Sequence, residues 1–208
     1  VVPAVGGKVK QRGFGVLVGA GAGDLAFAWD GDYSAAGALV VPTSGRDDAL
    51  AASDVIASVR PLEYGRAKRL KPGAVAVSFL SPGTDIDTVR GLQDAGATGL
   101  SFDLVPRISR AQSMDALTSQ ALVTGYRASL VAADRLPKFF PLFMTAAGTI
   151  QPARVLVLGA GVAGLQAIAT AKRLGARVSA YDVRAASADE VRSMGATFIT
   201  LDLDALEG

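Results

Sequence analysis

Gly159, Gly161 and Gly164, followed at a distance by Asp182, are the residues whose types and spacing prescribe a chemistry. They lie in RVLVLGAGVAGLQAIATAKRLGARVSAYDVR, residues 154–184. Val155–Leu158 is a continuous apolar run, β-branched at alternate places, and predicts a strand buried on both faces. It enters a complete G-x-G-x-x-G. Leu165–Leu174 then shows helical spacing, with Lys172 and Arg173 in the last turn and Gly175 as a stop. A second strand over Arg177–Tyr181 delivers Asp182 roughly 20 residues past the glycines, the separation a dinucleotide fingerprint requires. Gly159 would permit the tight turn, Gly161 would let backbone approach a pyrophosphate, and Gly164 would let the helix sit close to the strand. The helix start would offer its free N–H groups to the phosphates. Asp182 can accept hydrogen bonds from both adenosine ribose hydroxyls and would repel a 2′-phosphate, which favours NAD(H). Arg184 argues the other way, since an arginine can hold that phosphate. Val155–Ala171 is apolar but for Gln166, yet it is short for a membrane span, and strand-turn-helix accounts better for the glycines.

A second polar cluster is Pro106-Arg107-Ile108-Ser109-Arg110-Ala111-Gln112-Ser113-Met114-Asp115. Two arginines, an amide and a carboxylate crowd a strand-to-helix junction, where a ligand would meet the C-terminal edge of a sheet. The same residues also read as a plain helix start, with Ser113 as cap and Asp115 in the first turn. Spacing alone leaves both open. The sequence contains no Cys and no His. Disulfides, thiol nucleophiles, thiolate or zinc–imidazole metal sites and histidine acid–base chemistry are therefore excluded. A net charge of +2 without a basic block argues against a nucleic-acid partner.

The 208 residues suffice for one large or two small domains. Short buried strands are predicted at Phe14–Val18, Ala38–Val41, Asp54–Val59, Ala74–Phe79 and Thr98–Leu104. Between them fall helical segments such as Leu25–Ala36, Tyr64–Leu70 and Asp85–Ala95, an alternation that argues a parallel sheet with helices on both faces. Gly19-Ala20-Gly21-Ala22-Gly23-Asp24 imitates a nucleotide turn, but Asp24 replaces the last glycine and no acid ends the next strand. Ser113–Asp134 predicts one long helix connecting two domains. Leu136–Met144 predicts a buried helix under their junction rather than a cofactor contact. A third strand is expected at Thr197–Leu201, just before Asp202–Gly208. A doubly wound dinucleotide domain has about six strands, so the chain reads as a piece of something longer. The expected fold is α/β with two Rossmann-like doubly wound parallel-sheet domains, residues 1–133 and 134–208, the second incomplete.

PRISRAQSMDALTSQA, followed by TAAGTIQPARVLVLGAGVAGLQAIATAKRLGA and YDVRAA, closely resembles the NAD(H)-binding component of proton-translocating NAD(P) transhydrogenase, its alpha subunit. The resemblance covers nearly the whole chain. It implies that RISRAQSMD is a mobile loop closing over the nicotinamide end of NAD(H). Arg107, Gln112 and Asp115 would hold the nicotinamide ribose and carboxamide, with Ile108, Ser113 and Met114 beside them. Thr118 would stand where the family usually has Ser. The resemblance further places Gly159, Ala160, Gly161, Val162 and Gly164 at the pyrophosphate, and Asp182, Val183 and Arg184 around the adenosine ribose. NADP(H) would be held by a partner domain, alongside a membrane domain, with this component a homodimer. Its location would be the cytoplasmic face of a bacterial inner membrane, or the matrix side of a mitochondrial one. About 20 N-terminal residues of the family pattern, including its first strand, and much of the C-terminal half are absent.

Alanine dehydrogenase is the related alternative, implying an amino- or keto-acid oxidoreductase. That family's active-site Lys and His correspond here to Val59 and Ser81, so both functions are lost. A third possibility is a non-catalytic NAD(H) sensor.

Overall fold

The computed structural model describes residues 2–200. Internal contacts divide the chain into two compact units, Val1–Met114 and Asp115–Gly208. In the first, helices and strands alternate: α1 (Pro3–Gln11), β1 (Leu17–Gly19), α2 (Asp30–Ala35), β2 (Leu39–Val41), α3 (Arg46–Ala52), β3 (Val55–Ala57), α4 (Tyr64–Ala67), β4 (Val75–Ser78), α5 (Ile86–Asp94) and β5 (Thr98–Ser101). β1 and β2 pair in parallel, and β3-β4-β5 form a separate parallel sheet with β4 central. Ile56, Leu70, Ala76, Leu80 and Leu92 make the core against that central strand. The α/β class and the parallel pairing follow from the alternation. The strands are shorter than expected, and Leu17, Leu39, Val55 and Leu100 are exposed rather than buried. A parallel strand is buried on both faces only where both are covered.

The helix expected at Leu25–Ala36 is two pieces. A 3-10 turn over Asp24–Ala26 ends at Phe27, whose φ of 54° is left-handed and stops helical propagation. α2 starts afresh, the Asp32 carboxylate accepting a hydrogen bond from the Trp29 N–H at 2.8 Å. The expected helix at Tyr64–Leu70 is also cut short, ending at Ala67.

The second unit contains α6 (Ala116–Arg135), β6 (Phe143–Thr145), β7 (Gly148–Ile150), β8 (Arg154–Leu158), α7 (Val162–Arg173), β9 (Arg177–Tyr181), α8 (Ser187–Ser193) and β10 (Thr197–Phe198). β8 and β9 pair in parallel, Arg154 opposite Arg177 and Leu158 opposite Tyr181, and the sheet order is β10-β9-β8. α7 is the crossover that a parallel pair needs. Its Ile168 and Ala171 pack with Val178, Ala180 and Val191, and Val155 and Val157 lean on that cluster. Ile168 and Val191 are fully buried, each stabilising by roughly 1.5–3 kcal/mol. The other face of β8 departs from expectation: Leu156 and Leu158 are exposed. Leu201 and Asp202–Gly208 lie outside the described residues.

The domain boundary expected from sequence is 133/134, whereas the contacts divide at 114/115. The difference is α6, which packs against α7. The contact is close: a Cβ built on Gly125 would fall 2.0 Å from the Ala163 carbonyl oxygen. One turn on, the Ser129 hydroxyl donates to the Ala167 carbonyl at 3.1 Å.

Leu136–Met144 is not a helix. Pro137 and Pro141 lack N–H groups and push their preceding residues toward extended backbone. The chain runs instead into the antiparallel β6–β7 hairpin, closed by Thr145, whose hydroxyl donates to the Gly148 carbonyl and accepts from the Ala147 N–H. Phe140 is buried, but Phe139, Leu142, Phe143 and Met144 are exposed.

Candidate dinucleotide site

β8 ends at Leu158, and the chain turns at Gly159 with φ 94°, a left-handed value that favours glycine. The Gly159 N–H donates to the Tyr181 carbonyl at 2.8 Å, tying the turn to the end of β9. Gly164 is required for a different reason. A Cβ there would fall 1.8 Å from the Gly159 carbonyl oxygen, so only a hydrogen lets the first turn of α7 close onto the strand end. Apart from its chain neighbours, no described atom lies within 4 Å of where a Cβ on Gly161 would stand, which leaves open space in front of it. Gly161 is the N-cap of the twelve-residue α7, and no side chain caps it. The first N–H groups of such a helix have no intrahelical partner and favour an anion.

Asp182, at the end of β9, faces this turn. Its Oδ2 accepts from the Ala160 N–H at 2.7 Å. Arg184 folds back on the same carboxylate: its backbone N–H and its Nε reach Oδ1 at 2.8 and 3.0 Å, and one terminal nitrogen reaches Oδ2 at 3.2 Å. The Arg184 side chain, then the Arg184 and Ala160 backbone N–H groups, hold the Asp182 carboxyl well below the usual carboxylate range. In the unfolded chain this group takes up a proton at about pH 4. Its contribution to stability is therefore complete above that pH and is lost only as pH falls toward the lower folded value. Asp182 therefore stays ionised through pH 5–8. Arg184, which by type could hold a 2′-phosphate, has its charge directed onto Asp182. Val183 between them is exposed.

The second predicted cluster is divided between the units. Arg107, Ile108, Gln112, Ser113 and Met114 belong to the first, and all five are exposed. A 3-10 turn spans Ser109–Met114, pinned by the buried Ala111, whose N–H donates to the Ile108 carbonyl. Asp115 opens the second unit and, not Ser113, is the cap of α6. Its Oδ1 accepts from the Thr118 N–H at 2.8 Å and its Oδ2 from the Thr118 hydroxyl at 2.6 Å. Asp115 and Thr118 are thus brought together, as are Gly159, Ala160, Gly161, Val162 and Gly164 with Asp182 and Arg184.

Ser81 follows β4 with φ 46°, a left-handed position for a non-glycine residue. Its N–H donates to Asp103 Oδ2 at 2.8 Å, which also accepts from the Ser101 hydroxyl at 2.8 Å. Val59, just after β3, is exposed. Val59 carries no ionisable group and Ser81 only a hydroxyl, so neither side chain can serve as an acid or base near neutral pH. Sequence reasoning misses Gly125 and Ser129, which set α6 against α7. Two small residues four apart on one helix face are the available signal.

A glycine turn, an uncapped helix start and a carboxylate at the end of the second strand make the second unit a Rossmann-type α/β unit. The sequence patterns described as "Alanine dehydrogenase/PNT, N-terminal domain" and "Alanine dehydrogenase/PNT, C-terminal domain" match residues 1–124 and 128–206. The chain belongs to the alanine dehydrogenase/PNT family. It is 47% identical over 212 residues to a chain of NAD(P) transhydrogenase subunit alpha from Rhodospirillum rubrum, covering 100% of this chain and 55% of that protein. Alanine dehydrogenase of Mycobacterium tuberculosis is 32% identical over 95% of the chain and 52% of its own length. A solved transhydrogenase from Sinorhizobium meliloti superposes with a TM-score of 0.89 at 43% identity, covering 99% of this chain and 60% of that one. The chain spans about half the length of the curated relatives it matches.

Proposed function

We propose that this chain is the NAD(H)-binding part of a proton-translocating NAD(P) transhydrogenase, handing hydride from NADH to NADP⁺ held on a partner domain. The observation that carries the reading is the Asp182 carboxylate, 2.7 Å from the Ala160 N–H beside the open α7 N-terminus. The pyrophosphate would lie along Gly159–Val162 and Gly164, and the adenosine ribose on Asp182, near Val183 and Arg184. Arg107, Gln112 and Asp115 would hold the nicotinamide end, with Ile108, Ser113, Met114 and Thr118 around it.

Hydride passing between two nicotinamide rings leaves no alkoxide to protonate and no hydroxyl to deprotonate. The two rings bring the redox chemistry. The protein's contribution is proximity, alignment and exclusion of water. A chain without His or Cys, with Val59 and Ser81 where an alanine dehydrogenase would carry Lys and His, suits that task. The NADP-binding domain, the membrane domain, the homodimer and the location at the cytoplasmic or matrix face belong to the same proposal. Among the described residues no helix is long and apolar enough to cross a membrane.

The test is cyclic reduction of an NAD analogue by NADH and NADP(H), with the full chain and the NADP-binding domain mixed. Turnover is expected. NADH binding with no transfer would leave a sensor, and alanine-dependent NAD⁺ reduction would make the chain a dehydrogenase. Asp182→Asn is expected to weaken NADH binding about tenfold, because a charged acceptor is lost, and to relax discrimination against NADPH. Unchanged affinity for both nucleotides would remove Asp182 from the site.

A further inference from the structure

The Asp182 carboxylate has no acceptor capacity left. An ionised carboxylate offers about four lone-pair positions, and four donors occupy them: the Ala160 N–H, the Arg184 N–H, and the Nε and one terminal nitrogen of Arg184. The two backbone donors are fixed by the turn and by the exit of β9. The two guanidinium donors are not, because the Arg184 side chain is 63% exposed and reaches back over only two residues. An adenosine ribose also presents two donors, its 2′- and 3′-hydroxyls.

We propose that the Arg184 guanidinium is a built-in occupant of the ribose subsite, which the cis-diol of an incoming nucleoside must displace. The inference rests on the dinucleotide reading above and adds a competition to it. While empty, the site keeps its buried carboxylate charged and satisfied by its own chain. Ribose binding exchanges two charge-assisted bonds for two hydroxyl bonds and releases the guanidinium to solvent. Because the Arg184 side chain is largely exposed, the bonds it gives up are modest. The competition therefore lowers affinity without preventing binding. A 2′-deoxy or 3′-deoxy sugar supplies only one of the two replacement donors and displaces the guanidinium less well.

The experiment titrates the full chain and its Arg184→Gln and Arg184→Lys variants with NADH, adenosine and 2′,3′-dideoxyadenosine, followed by calorimetry. The exposed position leaves the fold intact, which circular dichroism checks. Arg184→Gln is expected to bind NADH and adenosine roughly 1.5- to fivefold more tightly than the parent, the range set by an exposed ion pair. Arg184→Lys, whose single amine cannot span both oxygens, is expected to fall between. The gain should vanish with 2′,3′-dideoxyadenosine. Equal or weaker binding of NADH and adenosine by Arg184→Gln would overturn the proposal, as would an equal gain with the dideoxy nucleoside. If NADH bound to none of the three proteins, the dinucleotide reading itself would fall and take this inference with it.

Discussion

Gly125→Ala should destabilise the second unit by about 3 kcal/mol or more, the upper range for forcing extra volume into a packed contact. The added methyl would meet the Ala163 backbone, with the carbonyl oxygen 2.0 Å, the carbonyl carbon 2.8 Å and the Cα 3.1 Å away. Backbone cannot step aside as a flexible side chain can, so α6 and α7 must separate. Ala163 lies in the first turn of α7, where the helix start faces the proposed pyrophosphate. Gly164 holds that same turn from the other side, against Gly159. Urea unfolding of Gly125→Ala, with NADH titration of the folded fraction, should show loss of stability together with weakened binding. A variant as stable as the parent would mean that α6 and α7 do not approach this closely.

Gln112→Asn should slow hydride transfer about a hundredfold, the scale on which small misplacements of reacting groups act, while NADH affinity changes less than about threefold. Shortening the side chain by one methylene keeps the amide but withdraws it from the nicotinamide that the loop is proposed to align. Gln112 is exposed, within the Ser109–Met114 3-10 turn beside the buried Ala111, so the substitution leaves the fold alone. Single-turnover transfer to an NADP⁺ analogue, beside equilibrium NADH binding, separates the two effects. Equal losses in rate and affinity would make the segment a binding element only. Asp115 is a poorer probe of alignment, since its carboxylate also caps α6 through Thr118.

The second unit is the more legible of the two because its signals are local. The Gly159–Gly164 turn, the Lys172–Arg173–Gly175 helix end and the Arg177–Tyr181 strand are each set by a few neighbouring residues, and all stand where spacing puts them. Asp182 is legible as the strand-end acid, but its four bonds are not, because they depend on Arg184 folding back in space. Leu136–Met144 misleads through hydrophobicity: nine mostly apolar residues suggest burial, while two prolines decide against helix. Phe27 misleads through backbone conformation, since nothing in Leu25–Ala36 marks a left-handed residue in its midst. Spacing puts Asp115 in the first turn of a helix it in fact caps, an error of one or two residues typical of helix ends. Gly125 escapes a reading by sequence because its importance is the distance to another helix.

Leu156 and Leu158 leave one face of β8 apolar and exposed among the described residues. Both stand on one face of a strand that lies at the margin of its sheet among the described residues, and the unpaired backbone of such a margin is a template for further strands. A net charge of +2 supplies little colloidal repulsion to oppose it. The strand that delivers the glycine turn therefore presents an apolar face among the described residues. A lysine at Leu158 would raise solubility while leaving the backbone bond from Gly159 to Tyr181 in place.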